Sequence, residues 1–443
     1  MTSRLNARTV TAAIAIAICG QSAFAQDSGA RRPYRALFGG AAEDPTKHHT
    51  LHVSGSVEAA YEENGLYGGD RRASLLLQDG VYSGVSGGLG YSWQGRRVHI
   101  DADAGTSGRY YHDADAFIGV GQYASVAVAA QLGPRVRALV GQSISHSPSY
   151  FYGLMPGFGP LGAAAMAGGG AFPLGDQSVR VYGTAASATI GMTRRGSLEV
   201  LATSRHSRFG EAAGAEGGLS ELRAYSVGGR YRHGITRNAS LRMGYVYHDG
   251  EYVFTGGSSI AVHDIDVGVD YRRGLSLTRR TTFDFGVGSA LVNPPLDVSK
   301  TRKLQYRVVG DLGLTHEMGR TWRARLAYNR GVGFVEGFAQ PVFADAVNLS
   351  LNGFLTRRVD FNAIGGMSVG DVGLLSEHTA FRTWNVSTRL RMAVTSLVAV
   401  YADYLSYYQD LGAAVVVPTG VPSRVDRHSA HVGLTLWVPL LRR

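Results

Sequence analysis

The strongest constraint on this chain is an apolar–polar alternation of period two that recurs, segment after segment, from His49 towards the carboxy terminus. In Lys303–Thr315 (KLQYRVVGDLGLT), Leu304, Tyr306, Val308, Leu312 and Leu314 share one parity, and Gln305, Arg307, Asp311 and Thr315 share the other. Successive side chains of a strand point to opposite faces, so this segment is a strand with one apolar and one charged face. The pattern returns in Ile265, Val267, Val269 and Tyr271 against Asp264, Asp266, Asp270 and Arg272. It returns again in Trp322, Ala324, Leu326 and Tyr328 against Arg323, Arg325 and Asn329, and in Trp384, Val386, Leu390 and Met392 against Asn385, Arg389 and Arg391.

Three features separate this pattern from a soluble β-sandwich. The segments run for about 10 to 16 residues, whereas soluble strands average about 5 or 6; the longer span suits a strand tilted across a bilayer. The connections alternate between tight (Gly133-Pro134-Arg135, Arg195-Gly196-Ser197, Thr236-Arg237-Asn238, Arg357-Arg358, Thr395-Ser396) and long (62–80, 151–177, 210–221, 293–302, 374–381, 410–426). Aromatic residues stand beside the tight turns on the apolar parity: Tyr91, Trp93, Tyr231, Tyr271, Phe283, Trp322 and Phe361. Such rings belong at the headgroup level of a membrane. Lipid offers the backbone no hydrogen bonds, so strands of this kind span only as a closed barrel. The expected fold is therefore all-β, a transmembrane antiparallel up-and-down barrel of about 18 strands, with 16 as the alternative. An even count places both termini on the tight-turn side, which by the usual pattern is the periplasm.

The ends agree with export. Residues 1–25 read as a signal peptide: Arg4 and Arg8, an apolar run from Thr9 to Gly20, and Ala23-Phe24-Ala25 before the expected cut. Cys19, the single cysteine, leaves with it, which removes disulfides and thiol chemistry. Residues 26–47 show no alternation and are expected to form a periplasmic tail; 48–443 form the barrel. Near the end, His431-Val432-Gly433-Leu434-Thr435-Leu436-Trp437-Val438 resembles the carboxy-terminal β-signal of outer-membrane barrels, although the chain continues for five residues and Trp437 shares the polar parity. That resemblance implies the barrel-assembly machinery as a partner. In size the chain is similar to substrate-selective porins and to barrels that export exopolysaccharide. The location implied is the outer membrane of a Gram-negative cell, among its lipids and lipopolysaccharide.

The chemistry-bearing motifs are few. Gly119-Val120-Gly121-Gln122-Tyr123-Ala124 matches a loose dinucleotide pattern but lies inside an alternating strand. The 14 His fall at no metal-ligand spacing, and no metal or cofactor is expected. His248-Asp249 and His263-Asp264 flank one long-side loop and are the nearest candidates for general-base chemistry, without a marked nucleophile. The formal net charge is +10, or +8 without Arg4 and Arg8; export argues against nucleic acid as the partner. By parity the lumen receives Arg230, Arg232, Arg242, Arg307, Arg323, Arg325, Arg389 and Arg391, with Asp264, Asp266, Asp270, Asp284 and Asp311, and outside that set Arg205, Asp101, Asp103 and Asp360. These charges either bias a water-filled passage towards anions or pair to stiffen the wall. The Gly- and Ala-rich loop 151–177 is a candidate constriction or lid. The expected function is a passive pore for small hydrophilic or anionic solutes or a secreted polysaccharide. A non-conducting scaffold or adhesin is the alternative, and a hydrolase the third.

Overall fold

A strand whose apolar face is destined for lipid must pair both of its edges, and every strand of this chain does so. The computed structural model describes residue 38 and residues 48–66, 80–111, 116–147, 178–210, 221–253, 258–271, 281–293, 305–319, 321–336, 340–373, 380–412 and 423–442. The first six strands are β1 (His49–Leu66), β2 (Gly80–Gln94), β3 (Val98–Tyr111), β4 (Ala116–Gln131), β5 (Val136–Ser147) and β6 (Val179–Gly191). The next six are β7 (Gly196–Phe209), β8 (Leu222–Gly234), β9 (Ala239–Tyr252), β10 (Ser258–Tyr271), β11 (Thr281–Asn293) and β12 (Gln305–Met318). The last six are β13 (Trp322–Gly333), β14 (Val342–Phe354), β15 (Val359–Val372), β16 (Ala380–Ala393), β17 (Val398–Leu411) and β18 (Arg424–Arg442).

All neighbours pair antiparallel in chain order, and β18 pairs β1, so an 18-stranded sheet closes on itself. The alternative of 16 strands is set aside. The closing seam slips once: Leu51 faces Leu441 but His52 faces Pro439, leaving Leu440 bulged. Proline has no N–H for the ladder, and a bulge beside it absorbs the missing bond.

The barrel is apolar outside. Val57, Tyr306, Val308 and Val432 are each at least 60% exposed, the reverse of a soluble protein and the requirement of a lipid-facing wall. The girdle is present at the tight-turn end, where Trp322 packs beside Phe361 at 6.1 Å and Phe283 beside Phe285 at 5.7 Å. Among the described residues no helix is long and apolar enough to cross a membrane.

Four tight turns share one device. Thr193, Thr236, Thr356 and Thr395 each accept backbone N–H bonds on Oγ1 from residues two and three positions on, holding the turn without extra chain. Most tight turns are basic: Arg96, Arg97, Arg135, Arg194, Arg195, Arg237, Arg357 and Arg358 are all exposed at this end. Much of the net positive charge therefore sits on the tight-turn rim and outside the lumen.

The strict alternation of tight and long connections needs correction. On the tight side, β10 ends at Tyr271 and β11 starts only at Thr281, while on the long side β3 and β4 are separated only by 112–115. Barrel closure fixes strand pairing and tilt, and tolerates unequal loops.

Candidate functional site

The inward parity of 18 strands builds a charged, hydrated interior, and barrels of this strand number leave a passage wide enough for water. The arginines and aspartates named from sequence separate into distinct groups.

On β8–β12 the charges are paired. Arg242 is the hub: its side chain is 8% exposed and meets Asp266 at 3.1 Å, Asp270 at 3.4 Å and Asp311 at 2.7 Å. Arg232 reaches Asp270 at 2.7 Å and Arg230 reaches Asp266 at 3.6 Å. Glycine makes this possible at Gly286, where a Cβ would meet the Arg242 guanidinium and the Asp311 carboxylate. Asp284 lies on the same wall, facing Gly313 and Asp270 across the ladders. On β12 and β13, Arg323 pairs with Glu317 at 3.1 Å, Arg325 lies between Thr315 and Ser350, and Arg307 stacks over Phe343 at 5.2 Å.

Across the barrel, β1, β3, β16 and β17 line a cavity of about 200 Å³ with Arg109, Arg389, Arg391, Glu58 and Tyr401. Arg389 grips Asp403 through two bonds of 2.8 and 2.6 Å, and Arg391 holds Asp360 at 2.9 Å. Tyr401 donates to Glu58 at 2.8 Å and lies under the Arg389 guanidinium. The exposures are unequal: Arg389 is 52% exposed and its partner Asp403 12%. Here the carboxylate stands behind and the guanidinium meets the water. At Arg242 the order is reversed, since Asp311 is the exposed member at 41%. The same network also holds Arg232, 40% exposed against 10% for Asp270, so both signs meet the water on that side. Arg109 had no place among the lumen arginines named from sequence; its parity, shared with Asp101 and Asp103, was the available signal.

The two His-Asp dipeptides are corrected. Adjacent residues of a strand point to opposite faces, so His248 faces in and Asp249 out, and Asp264 faces in and His263 out. The carboxylate facing His248 is Asp264 of the next strand, at 3.0 Å; Ser226 shares a 2.7 Å hydrogen bond with the other ring nitrogen. Ser226 stands opposite His248 in the β8–β9 ladder, so the chain Ser226–His248–Asp264 follows from cross-strand pairing. Among the described residues no cluster of His, Cys, Asp or Glu has the geometry to hold a metal ion.

Two contacts narrow the ends. At the long-loop end, Phe334, Val335 and Glu336, just beyond β13, turn inward; Val335 and Glu336 are buried, and Glu336 pairs with Arg205 on β7. Phe334 lies on the backbone of Gly250, where a Cβ would strike its ring, and 6.4 Å from the Tyr252 ring. It joins an apolar cluster at this end of the barrel: Leu222, Tyr252, Ile260, Val262, Ala290, Val292 and Phe343. The constriction loop named from sequence, 151–177, lies outside the described residues. At the tight-turn end, Phe38 from the amino-terminal segment sits inside the barrel with Trp437, Ala393 and Ala399, under the Arg391 guanidinium at 5.2 Å. That contact accounts for the inward parity of Trp437: its ring packs against another ring inside the mouth.

Fold and site together define the class: a closed antiparallel β-barrel of 18 strands, with an apolar outer wall suited to lipid and a charged interior. No protein-family model matches the chain, and no curated protein matches it in sequence. Solved structures similar to it include Acinetobacter baumannii OccAB3, 10% identical with a TM-score of 0.42 over 88% of this chain and 99% of that one. Pseudomonas aeruginosa OpdQ aligns at 9% identity and 0.43, over 89% and 98%, and Pseudomonas aeruginosa OpdO at 11% and 0.43, over 88% and 98%.

Proposed function

We propose that the protein is a passive outer-membrane pore for small hydrophilic solutes, with its tight turns in the periplasm and its long loops outside. The observation that carries this reading is the closed barrel of 18 strands with a charged inner face. Exposed guanidinium at Arg389 and Arg232 and exposed carboxylate at Asp311 line its wall. Charges of both signs along a passage orient small ions and dipolar solutes as they pass. Anions are favoured along the Arg109, Arg389 and Arg391 side, and the bias is modest because Arg389 and Arg391, like most lumen arginines, are paired with carboxylates.

Planar-bilayer recording tests this. The wild type is expected to give discrete conductance steps with a reversal potential on the anion side under a salt gradient at low ionic strength. The preference fades towards 1 M salt, where the Debye length falls to about 3 Å. The triple variant Arg109→Gln, Arg389→Gln, Arg391→Gln is expected to move the reversal potential towards cations. A folded barrel without conductance would instead favour the scaffold reading, to which the inward Phe38 and Phe334 lend their support.

A further inference from the structure

We propose that the outer wall from β2 to β8 is a binding site for a phosphorylated lipid of the leaflet at the long-loop side. Its phosphates sit on Arg180, Arg208 and His146, and an acyl chain lies in the groove below them.

The site follows one row of cross-strand neighbours on the lipid-facing parity. Gly87 faces Thr106, Thr106 faces Gln122, Gln122 faces His146, His146 faces Arg180, and Arg180 faces Arg208. The row climbs because the strands tilt. Gly87 is seven residues from the tight-turn end of β2 at Gln94, His146 is ten from that end of β5 at Val136, and Arg208 is twelve from that end of β7 at Gly196. It therefore runs from mid-wall small residues, through polar ones, to cations at the rim.

Shape and charge agree along it. A groove of about 470 Å³ opens over Gly87, Ala104, Thr106, Gln122, Ala124 and His146. A Cβ at Gly87 would meet nothing within 4 Å, so small side chains leave the wall hollow there. At the upper end Arg180 and Arg208 are exposed and make no ion pair among the described residues. Arg208 donates to His206 at 3.2 Å, and Arg223, paired with Glu251 at 3.7 Å, stands opposite His206. His146 Nδ1 is buried without a hydrogen-bond partner among the described residues. Elsewhere on the long-loop side of the outer wall, Arg330 pairs with Asp345 at 3.2 Å and His428 with Asp426 at 3.4 Å. Adjacent like charges repel, and a row of them beside lipid asks for an anionic counterpart. Tyr182 and Tyr225, two residues nearer the tight turns than Arg180 and Arg223, place the row at headgroup level. Arginine forks match phosphate oxygens bidentately, and the hollow below receives a chain. The occupant with both parts is a phosphorylated lipid.

The proposal rests on the barrel spanning a membrane and does not require that it conduct. Native mass spectrometry of the full-length barrel in detergent, titrated with diphosphoryl lipid A, provides the test. Wild type is expected to retain a one-lipid adduct, and enzymatically dephosphorylated lipid A to bind at least about tenfold less. Arg180→Gln with Arg208→Gln should weaken the adduct by about tenfold or more, and Gly87→Leu with Ala104→Leu should weaken it by filling the groove. Arg330→Gln, elsewhere on the wall, should bind as wild type. Heat-modifiable gel mobility reports folding, and Arg180→Gln alone serves if the double variant does not fold. Equal binding by the Arg variants, or of the dephosphorylated lipid, overturns the proposal. So does displacement by millimolar inorganic phosphate with the groove variant unaffected, which would make this a free-phosphate site. Loss of conductance with lipid binding intact would strike the pore reading alone.

Discussion

Replacing Arg242 with Met tests whether the β8–β12 charges brace the wall. The side chain is 8% exposed and touches three carboxylates, so its removal leaves negative charge without its nearest counterpart. Breaking a buried ion pair from one side usually costs about 3–5 kcal/mol. Here the loss is partly offset. Asp266 keeps Arg230 at 3.6 Å, Asp270 keeps Arg232 at 2.7 Å, and Asp311 is 41% exposed and regains water. The expected cost is therefore about 2–3 kcal/mol, nearer that of orphaned but partly hydrated groups. Guanidinium-chloride unfolding in lipid vesicles, followed by the fluorescence of the chain's four Trp, measures it. Adding Asp266→Asn, Asp270→Asn and Asp311→Asn to Arg242→Met should recover more than half of the loss, because the penalty is electrostatic. A cost under about 0.5 kcal/mol for Arg242→Met alone would refute the bracing argument, since it would mean the wall does not feel three uncompensated carboxylates.

Further outcomes follow from the same geometry. Val267→Arg, on the outer wall between Met243 and Val287, should destabilise refolding in vesicles by about 2–4 kcal/mol, while Arg325→Gln on the lumen face should stay within about 0.5 kcal/mol. Equal tolerance of both would overturn the assignment of faces. Cysteine at Gln340, beyond the inward turn after β13, should label from outside intact cells with an impermeant reagent, and cysteine at Ser396 should not; the reverse pattern would invert the orientation. Phe334→Ala should raise single-channel conductance by loosening the inward turn held by Arg205 and Glu336, and unchanged conductance would show that this turn does not limit flow.

The charge count of the chain illustrates how far a composition reaches. The sequence reading placed many arginines in the lumen, either to bias a passage towards anions or to pair and stiffen the wall. In three dimensions much of the excess lies in the tight turns, from Arg96 to Arg358, and along the outer row of Arg180 and Arg208. Parity separates inside from outside but does not give depth along the barrel or the partner across a ladder. Both are needed to tell a free charge from a paired one.

What the sequence by itself determined is the part governed by local rules. Period-two alternation, strand length and turn chemistry depend on near neighbours only. They gave an antiparallel barrel of about 18 strands, and the structure has 18. The His-Asp dipeptides failed for a local reason as well, because neighbours in a strand part company. Only the tertiary structure decided the rest. That Asp264 serves His248, that Arg242 gathers carboxylates from β10 and β12, and that Phe38 meets Trp437 across most of the chain length are consequences of closure and shear. Those two quantities set which residues of distant strands share a level, and no window of sequence contains them.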